Sequence, residues 1–246
     1  MYFGFPHLYL PETDSTNAQL INLLANSIPE QGFMVIADFQ SEGRGQFGRQ
    51  WVSAPGQNLL ASYLLGPLEL PVDRIFDLQL AASLAVFHSL DARETSGLSI
   101  KWPNDLYSGN EKIAGILLQN VLRGKQVHFC VAGVGVNVNQ SEFPSGLRAT
   151  SLFLRCGKRF ELSGLAVEVR QQLLHWFAHL DDRETLLQQY NERLYGRDGW
   201  LQYVEPDGSP FSATVREVLG DGRLVLMEKN GNLRTFVHGT IQSLPL

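Results

Sequence analysis

Leu98-Ser99-Ile100-Lys101-Trp102-Pro103-Asn104-Asp105 is the stretch on which the reading of the fold turns. Its first five residues predict a short strand, and Pro103-Asn104-Asp105 stops it. Leu106-Tyr107 and a Ser108-Gly109-Asn110 turn follow, and Lys112-Ile113-Ala114-Gly115-Ile116-Leu117-Leu118 predicts the next strand. Two lysines, an Asn and an Asp are thereby gathered around one short hairpin. Ammonium groups neutralise phosphate oxygens, while an Asp and an Asn can hold Mg2+ or ribose hydroxyls. A single hairpin lysine is usually just a solvated side chain, so the argument rests on the set.

Upstream, Gly43-Arg44-Gly45-Gln46-Phe47-Gly48-Arg49-Gln50-Trp51 combines glycines, arginines and a terminal Trp. Glycine frees the backbone to come close to a ligand. Arginine offers a planar, permanently charged fork for phosphate or carboxylate, and an indole gives a base a flat face to stack on. The combination predicts a mobile flap that orders over an anionic, aromatic ligand, with a nucleotide as first candidate. Taken alone, the loop also reads as a surface turn with incidental arginines.

With Asp14-Ser15-Thr16-Asn17, Gln40, the 43–51 loop, Lys101 to Asp105, Lys112 with Gly115, and Gly133 to Asn137 in that order, the chain resembles the biotin protein ligases (biotin–[acetyl-CoA-carboxylase] ligases). The resemblance covers most of the first 150 residues and continues more weakly to the C-terminus. The lysine hairpin and the Gly-Arg-Gly loop are specific as a pair. The resemblance implies an α+β fold: a mixed β-sheet catalytic domain with flanking helices, class II synthetase-like, over residues 1–196. A small C-terminal SH3-like β-barrel would occupy residues 197–246. It also implies the short class without an N-terminal DNA-binding domain, because no helix-turn-helix fits before Asp14.

The implied reaction joins biotin and ATP, with Mg2+, into biotinyl-5′-AMP and then transfers biotin to a lysine of a biotin carboxyl carrier protein. Matched by position, Ser15, Thr16, Asn17 and Gln40 would hold the biotin head, with Arg44, Gly45, Gln46, Lys112 and Gly115 completing that site. Lys112 and Arg44 would be catalytic, meeting the reacting carboxylate and phosphates. Arg49, Trp51, Lys101, Asn104, Asp105 and Asn137 would meet the nucleotide, Trp51 and Asn137 at the adenine, Asp105 at Mg2+ or the ribose. Gly115, Gly133 and Gly135 would let backbone lie close to ligand. Ser15-Thr16-Asn17 also fits plain helix capping, and Trp102 reads as core rather than site. Gln46 stands where many relatives carry Arg, which implies a less tightly held adenylate. Leu244-Pro245-Leu246 lacks the basic residue that some relatives place at this end. A lipoate or octanoate ligase of the same superfamily is the alternative, but its Arg-Arg-x-x-Gly-Gly-Gly signature is missing. A biotin-responsive repressor is disfavoured by the missing DNA-binding domain.

The 246 residues, 44% hydrophobic and 18% charged, suit one main domain plus a small one. A net charge of −5 argues against DNA as a partner. The start has no signal-peptide pattern and no run is apolar enough for a membrane span, so a cytoplasmic protein is expected. Relatives that dimerise through a sheet edge make a homodimer the oligomer to test. Cys130 and Cys156 read as free thiols, and His175 with His179 lacks the Glu of a zinc motif because Trp176 stands there.

Strands are expected at about 3–10, 33–39, 58–65 and 127–137. A first helix should be capped by Ser15 or Asp14, and a second, capped by Asp73, should run to about Leu90. Two late helices are expected over about 162–180 and 183–195, the second with Asp181 and Glu184 at capping-box spacing. After Gly196, strands at 211–219, 223–229 and 233–238, joined by Gly-Asp-Gly and Asn-Gly-Asn turns, form the small β module.

Overall fold

The computed structural model describes residues 3–93 and 95–244. The first part contains β1 (His7–Thr13), α1 (Thr16–Asn26), β2 (Met34–Gln40), β3 (Leu59–Leu65), a short β4 (Leu70–Pro71) and α2 (Ile75–Asp91). It continues with β5 (Leu98–Lys101), β6 (Asp105–Ser108), β7 (Glu111–Arg123) and β8 (Gln126–Val136). Three helices follow: α3 (Leu152–Cys156), α4 (Leu162–Ala178) and α5 (Arg183–Glu192). The chain ends with β9 (Leu201–Val204), β10 (Pro210–Val218), β11 (Leu224–Glu228), β12 (Leu233–Phe236) and β13 (Gln242–Ser243).

The large sheet runs β1-β2-β3-β8-β7-β6-β5, with β4 beside β8. Only β1–β2 is parallel among the described pairs; the rest are antiparallel. Side chains alternate between its two faces. Ile36, Ala61, Tyr63, Ala132, Val134 and Ala114 join one core cluster with residues of α2, α4 and α5. Val35, Leu64, Phe129 and Val131 point the other way and pack with Leu20 of α1. Leu20 is fully buried, a contribution of about 2 kcal/mol for such a side chain. Both faces of β3 are covered and all its residues are buried, which explains a run that is apolar or aromatic except at Ser62, whose buried hydroxyl is bonded to α1.

A second antiparallel sheet, β12-β11-β10-β9-β13, stands at the C-terminus, the arrangement expected of an SH3-like module. Asp77 of α2, with no exposed surface, ties the two parts together. Its carboxylate takes Arg74 Nε at 2.8 Å and Arg183 Nε at 3.1 Å. Arg183 also donates to the Gly220 carbonyl at 2.6 Å, in the turn between β10 and β11. Trp102 Nε1 donates to the Gly222 carbonyl at 3.0 Å in the same turn.

Several expectations need correcting. The first strand starts at His7 rather than Phe3. Asp73 lies in a 3-10 turn and does not cap α2, whose first residue follows Arg74. The cap of α5 is Asp182, which accepts from the Thr185 amide, so the Asp181–Glu184 capping box does not form. Leu106-Tyr107 is a strand in its own right, so Leu98–Leu118 is a three-stranded meander rather than one hairpin. Strands β9 and β13 and helix α3 were not foreseen. Trp102 is half-buried and packs against the core as expected, but it also lines the cavity and bridges to the second sheet. Ser15 does cap α1. Cys130 and Cys156 are free thiols, and burial raises the pKa of Cys130. Pro245 and Leu246, part of the C-terminal comparison with relatives, lie outside the described residues.

Candidate active site

The large sheet carries a row of positions without side chains on the face that α1 leaves uncovered. Ser62 of β3 lies opposite Gly133 of β8, Gly133 opposite Leu117 of β7, and Gly135 opposite Gly115. Gly115, Gly133 and Gly135 thus form a shelf of bare backbone across two adjacent strands. Above it opens a cavity of about 870 Å3, bounded by the N-terminus of α1, the 43–51 flap, the Lys101–Asp105 turn and the second sheet. The shelf is needed for close approach. A Cβ on Gly133 would lie 2.3 Å from Asn17 Oδ1, and one on Gly135 would lie 2.7 Å from the Trp51 ring.

One end of the cavity is a nest of neutral hydrogen-bonding groups. Gln40 Oε1 accepts from the Thr16 amide at 2.8 Å and the Thr16 hydroxyl at 3.0 Å. Asn17 Nδ2 donates to the Leu117 carbonyl at 3.2 Å. Ser62, fully buried, lies 2.7 Å from Thr16 Oγ1 and 2.6 Å from Asn17 Oδ1. A hydroxyl has one proton, so Ser62 serves only one of these at a time, and an acceptor is left for an incoming N–H. Ser15 does two jobs: its hydroxyl accepts from the Ala18 amide at 3.5 Å, and it lines the cavity.

The other end is cationic. Lys112 Nζ pairs with Asp105 Oδ1 at 2.6 Å and lies 5.4 Å from the Trp51 ring centroid. Lys101 sits over the rings of Tyr107 and Tyr195, at 4.7 and 5.9 Å from their centroids, and donates to the Tyr107 hydroxyl at 3.2 Å. Burial pushes the pKa of Lys101 down; attraction to Asp105 opposes this, and repulsion from Lys112 and Arg49 adds to it. Burial and the nearby Asp105 push Tyr107 up to about 12. Arg44, Arg49 and Arg148 line the same cavity, Arg44 with its guanidinium 3.1 Å from Glu42.

The flap is itself a small hairpin. Gly45 N donates to Arg49 O at 2.6 Å and Trp51 N to Gly43 O at 2.8 Å, and a 3-10 turn over Gln46–Gly48 forms the tip. Trp51 lies flat on the glycine shelf, and its Nε1 is buried with no hydrogen-bond partner.

Ser15, Thr16, Asn17, Gln40, Arg44, Gly45, Gln46, Arg49, Trp51, Lys101, Asn104, Asp105, Lys112 and Gly115 all line this one cavity. Asn104 also ties its turn to β7, donating to the Ile116 carbonyl at 2.8 Å. Asn137 is placed differently: it is buried beneath the start of β7, with Nδ2 3.4 Å from the Lys112 carbonyl, and it is not a lining residue. Sequence reasoning missed Ser62, Tyr107, Arg148, Tyr195 and His238. Tyr107, an aromatic two residues beyond Asp105, carried a local signal; Ser62 supports the nest through strand register, Arg148 and Tyr195 line the cavity from the segments before α3 and after α5, and His238 does so through the docking of the second sheet. Asp105 is the single carboxylate beside Lys112 in this lining. Mg2+ commonly takes one or two carboxylates plus substrate phosphates, so these residues suit an ion that arrives with a nucleotide. Among the described residues no cluster of three or more His, Cys, Asp or Glu could hold a metal alone.

A mixed sheet with a neutral nest and a cationic end under one flap defines a ligand-binding α+β fold with a single large site. The chain belongs to the biotin/lipoate A/B protein ligase family, whose model matches residues 9–137. It is 30% identical to the biotin–[acetyl-CoA-carboxylase] ligase of Mycobacterium tuberculosis, over 87% of this chain and 80% of that protein. It is 33% identical to the bifunctional ligase/repressor BirA of Bacillus spizizenii, over 65% of this chain. There the match spans about half of the relative's length, 50%. Among solved structures, the biotin protein ligase from Aquifex aeolicus in complex with biotin and ATP shares the fold, with a TM-score of 0.78, 23% identity, and coverage of 98% and 99% of the two chains.

Proposed function

We propose that this protein is an ATP-dependent biotin protein ligase that forms biotinyl-5′-AMP and passes biotin to a lysine of a biotin carboxyl carrier protein. The observation that carries this is one cavity with two chemically different ends. The nest of Ser15, Thr16, Asn17, Gln40 and Ser62 supplies the mixed donors and acceptors that a ureido ring requires. The Lys112 and arginine end supplies positive charge where a carboxylate must meet a triphosphate. The relatives named as biotin ligases support the same reading. Residues 1–196 would carry this site and residues 197–246 would close its far wall.

In the first step a carboxylate oxygen of biotin attacks the α-phosphorus, a P–O bond breaks, and pyrophosphate leaves. Lys112 would leave Asp105 for the phosphates and offset the charge gathering there. Asp105, so released, would meet Mg2+ carried by ATP or a ribose hydroxyl. Lys101, Arg49 and Arg44 would hold the remaining phosphate and carboxylate oxygens. In the second step the acceptor lysine attacks the acyl carbon as its neutral amine, AMP departs, and the lost amine proton passes to solvent. The mixed anhydride hydrolyses readily, so a flap lying over it has a use. Among the described residues no helix is long and apolar enough to cross a membrane.

Mass spectrometry of a biotin carrier domain incubated with the protein, ATP, Mg2+ and biotin tests the proposal. Addition of one biotinyl group is expected. Modification with lipoate or octanoate in place of biotin would transfer the assignment to the other branch of the family.

A further inference from the structure

Phe47 at the flap tip holds an uncomfortable backbone. Its φ of 55° and ψ of 35° make it the one non-glycine residue with positive φ among those described, a conformation that L side chains avoid. Its side chain gains little from core burial, since the residue is 71% exposed. What it does touch is the second sheet. The Phe47 ring centroid lies 4.9 Å from that of His238, just past β12, and a Cβ on Gly239 would sit 3.2 Å from the Phe47 ring. His238 in turn meets Trp102 edge-on, with centroids 5.2 Å apart, and Trp102 is fixed by its bond to the Gly222 carbonyl.

We propose that His238 is a positioning residue, the latch between Phe47 and Trp102 that holds the flap against the C-terminal sheet and so aims Arg44 and Arg49 into the cavity. The flap leaves the main sheet at Gln40 and its chain rejoins it only at Leu59, with the Trp51 ring resting on the glycine shelf between, and its tip would otherwise swing about the Gly43–Trp51 pair. Both aromatic contacts lie in the range where ring pairs attract. Gly239 has no side chain, which lets the Phe47 ring approach the loop closely. The consequence for the reaction rests on the ligase reading above; the latch itself does not.

Limited trypsin digestion tests it, because the flap offers cleavage after Arg44 and after Arg49. Fragments from the full-length wild type, His238→Ala, His238→Phe, Phe47→Leu and the Phe47→Leu/His238→Ala double variant are timed by mass spectrometry without ligand. Flap cleavage is expected to speed up by roughly fivefold in each single alanine or leucine variant, since both lose the Phe47–His238 ring pair that holds the tip. The double variant should be no faster than the singles, and His238→Phe should return to the wild-type rate. Equal rates in wild type, His238→Ala and Phe47→Leu would overturn the latch, as would independent, additive effects in the double variant. Should His238→Phe fold poorly, Phe47→Leu lies on an exposed tip and still decides the matter. In biotinylation assays His238→Ala should raise KM for ATP more than it lowers kcat. Failure of the wild type to biotinylate would sink the ligase reading and leave the proteolysis result standing, so the two can fail separately.

Discussion

The two ends of the cavity are built on opposite terms. At the nest, every side chain is held by short-range wiring inside the large sheet: Thr16, Asn17 and Ser62 are buried, and Gln40, Ser62 and the Leu117 carbonyl fix their rotamers. At the cationic end the groups are half-buried or exposed, paired with one another as Lys112 is with Asp105 and Arg44 with Glu42, or left with an unmet donor as Trp51 is. A preorganised pocket recognises a neutral ring at low entropic cost. A region whose charges neutralise each other must exchange partners when the polyanion arrives. On the ligase reading, recognition would be concentrated at the first end and rearrangement at the second.

The largest expected effect is at the second end. Lys112→Ala should lower kcat for adenylate formation about 1,000-fold or more while biotin still binds; isothermal titration alongside single-turnover assays checks both halves. Undiminished turnover would remove the central assignment. Next, Gly133→Ala should strike the first end only. The new Cβ must displace Asn17, which is pinned between Ser62 and β7, weakening biotin roughly thirtyfold with ATP affinity unchanged. Equal losses for both ligands would erase the contrast between the ends.

A pH profile sharpens it further. Because burial lowers the pKa of Lys101, its ammonium is present at low and neutral pH and is lost as pH rises through a value below that of an exposed lysine. ATP affinity should fall along that alkaline limb, and Lys101→Arg, which stays charged, should move the limb to higher pH. The smallest effect is Gln46→Arg. One added charge at the flap should slow release of biotinyl-5′-AMP about fivefold, measured by rapid filtration; no slowing would count against the reading of Gln46.

The sequence displayed the main framework because its signals are local. The largely apolar runs of β3 and β7 and the Ser15 cap each follow from neighbouring residues. The short elements escaped for the same reason: β6 has four residues, β13 two and α3 five, too few for any periodicity to show. In the site, the residues contributed by recognisable strings came together in one lining, Asn137 excepted. Ser62 did not announce itself, because its role depends on standing opposite Gly133 in a strand more than seventy positions later. His238 reaches the flap only through the docking of the second sheet. Asp73, Asp181 and Asp182 show the limit of cap spacing: a 3-10 turn takes Asp73 and leaves α2 without a side-chain cap, while Asp181 faces Arg74 and its neighbour Asp182 caps α5.

The grip on Asp77 lies behind the face that carries the cavity. Arg74 and Arg183 clasp one carboxylate from two directions and Arg183 reaches on to Gly220, so this pairing would act as a gauge for how wide the jaws of the groove stand. Loosening that rear fastening, by Arg183→Leu for instance, would be felt at the front as a slacker opening, although the altered residue meets neither substrate.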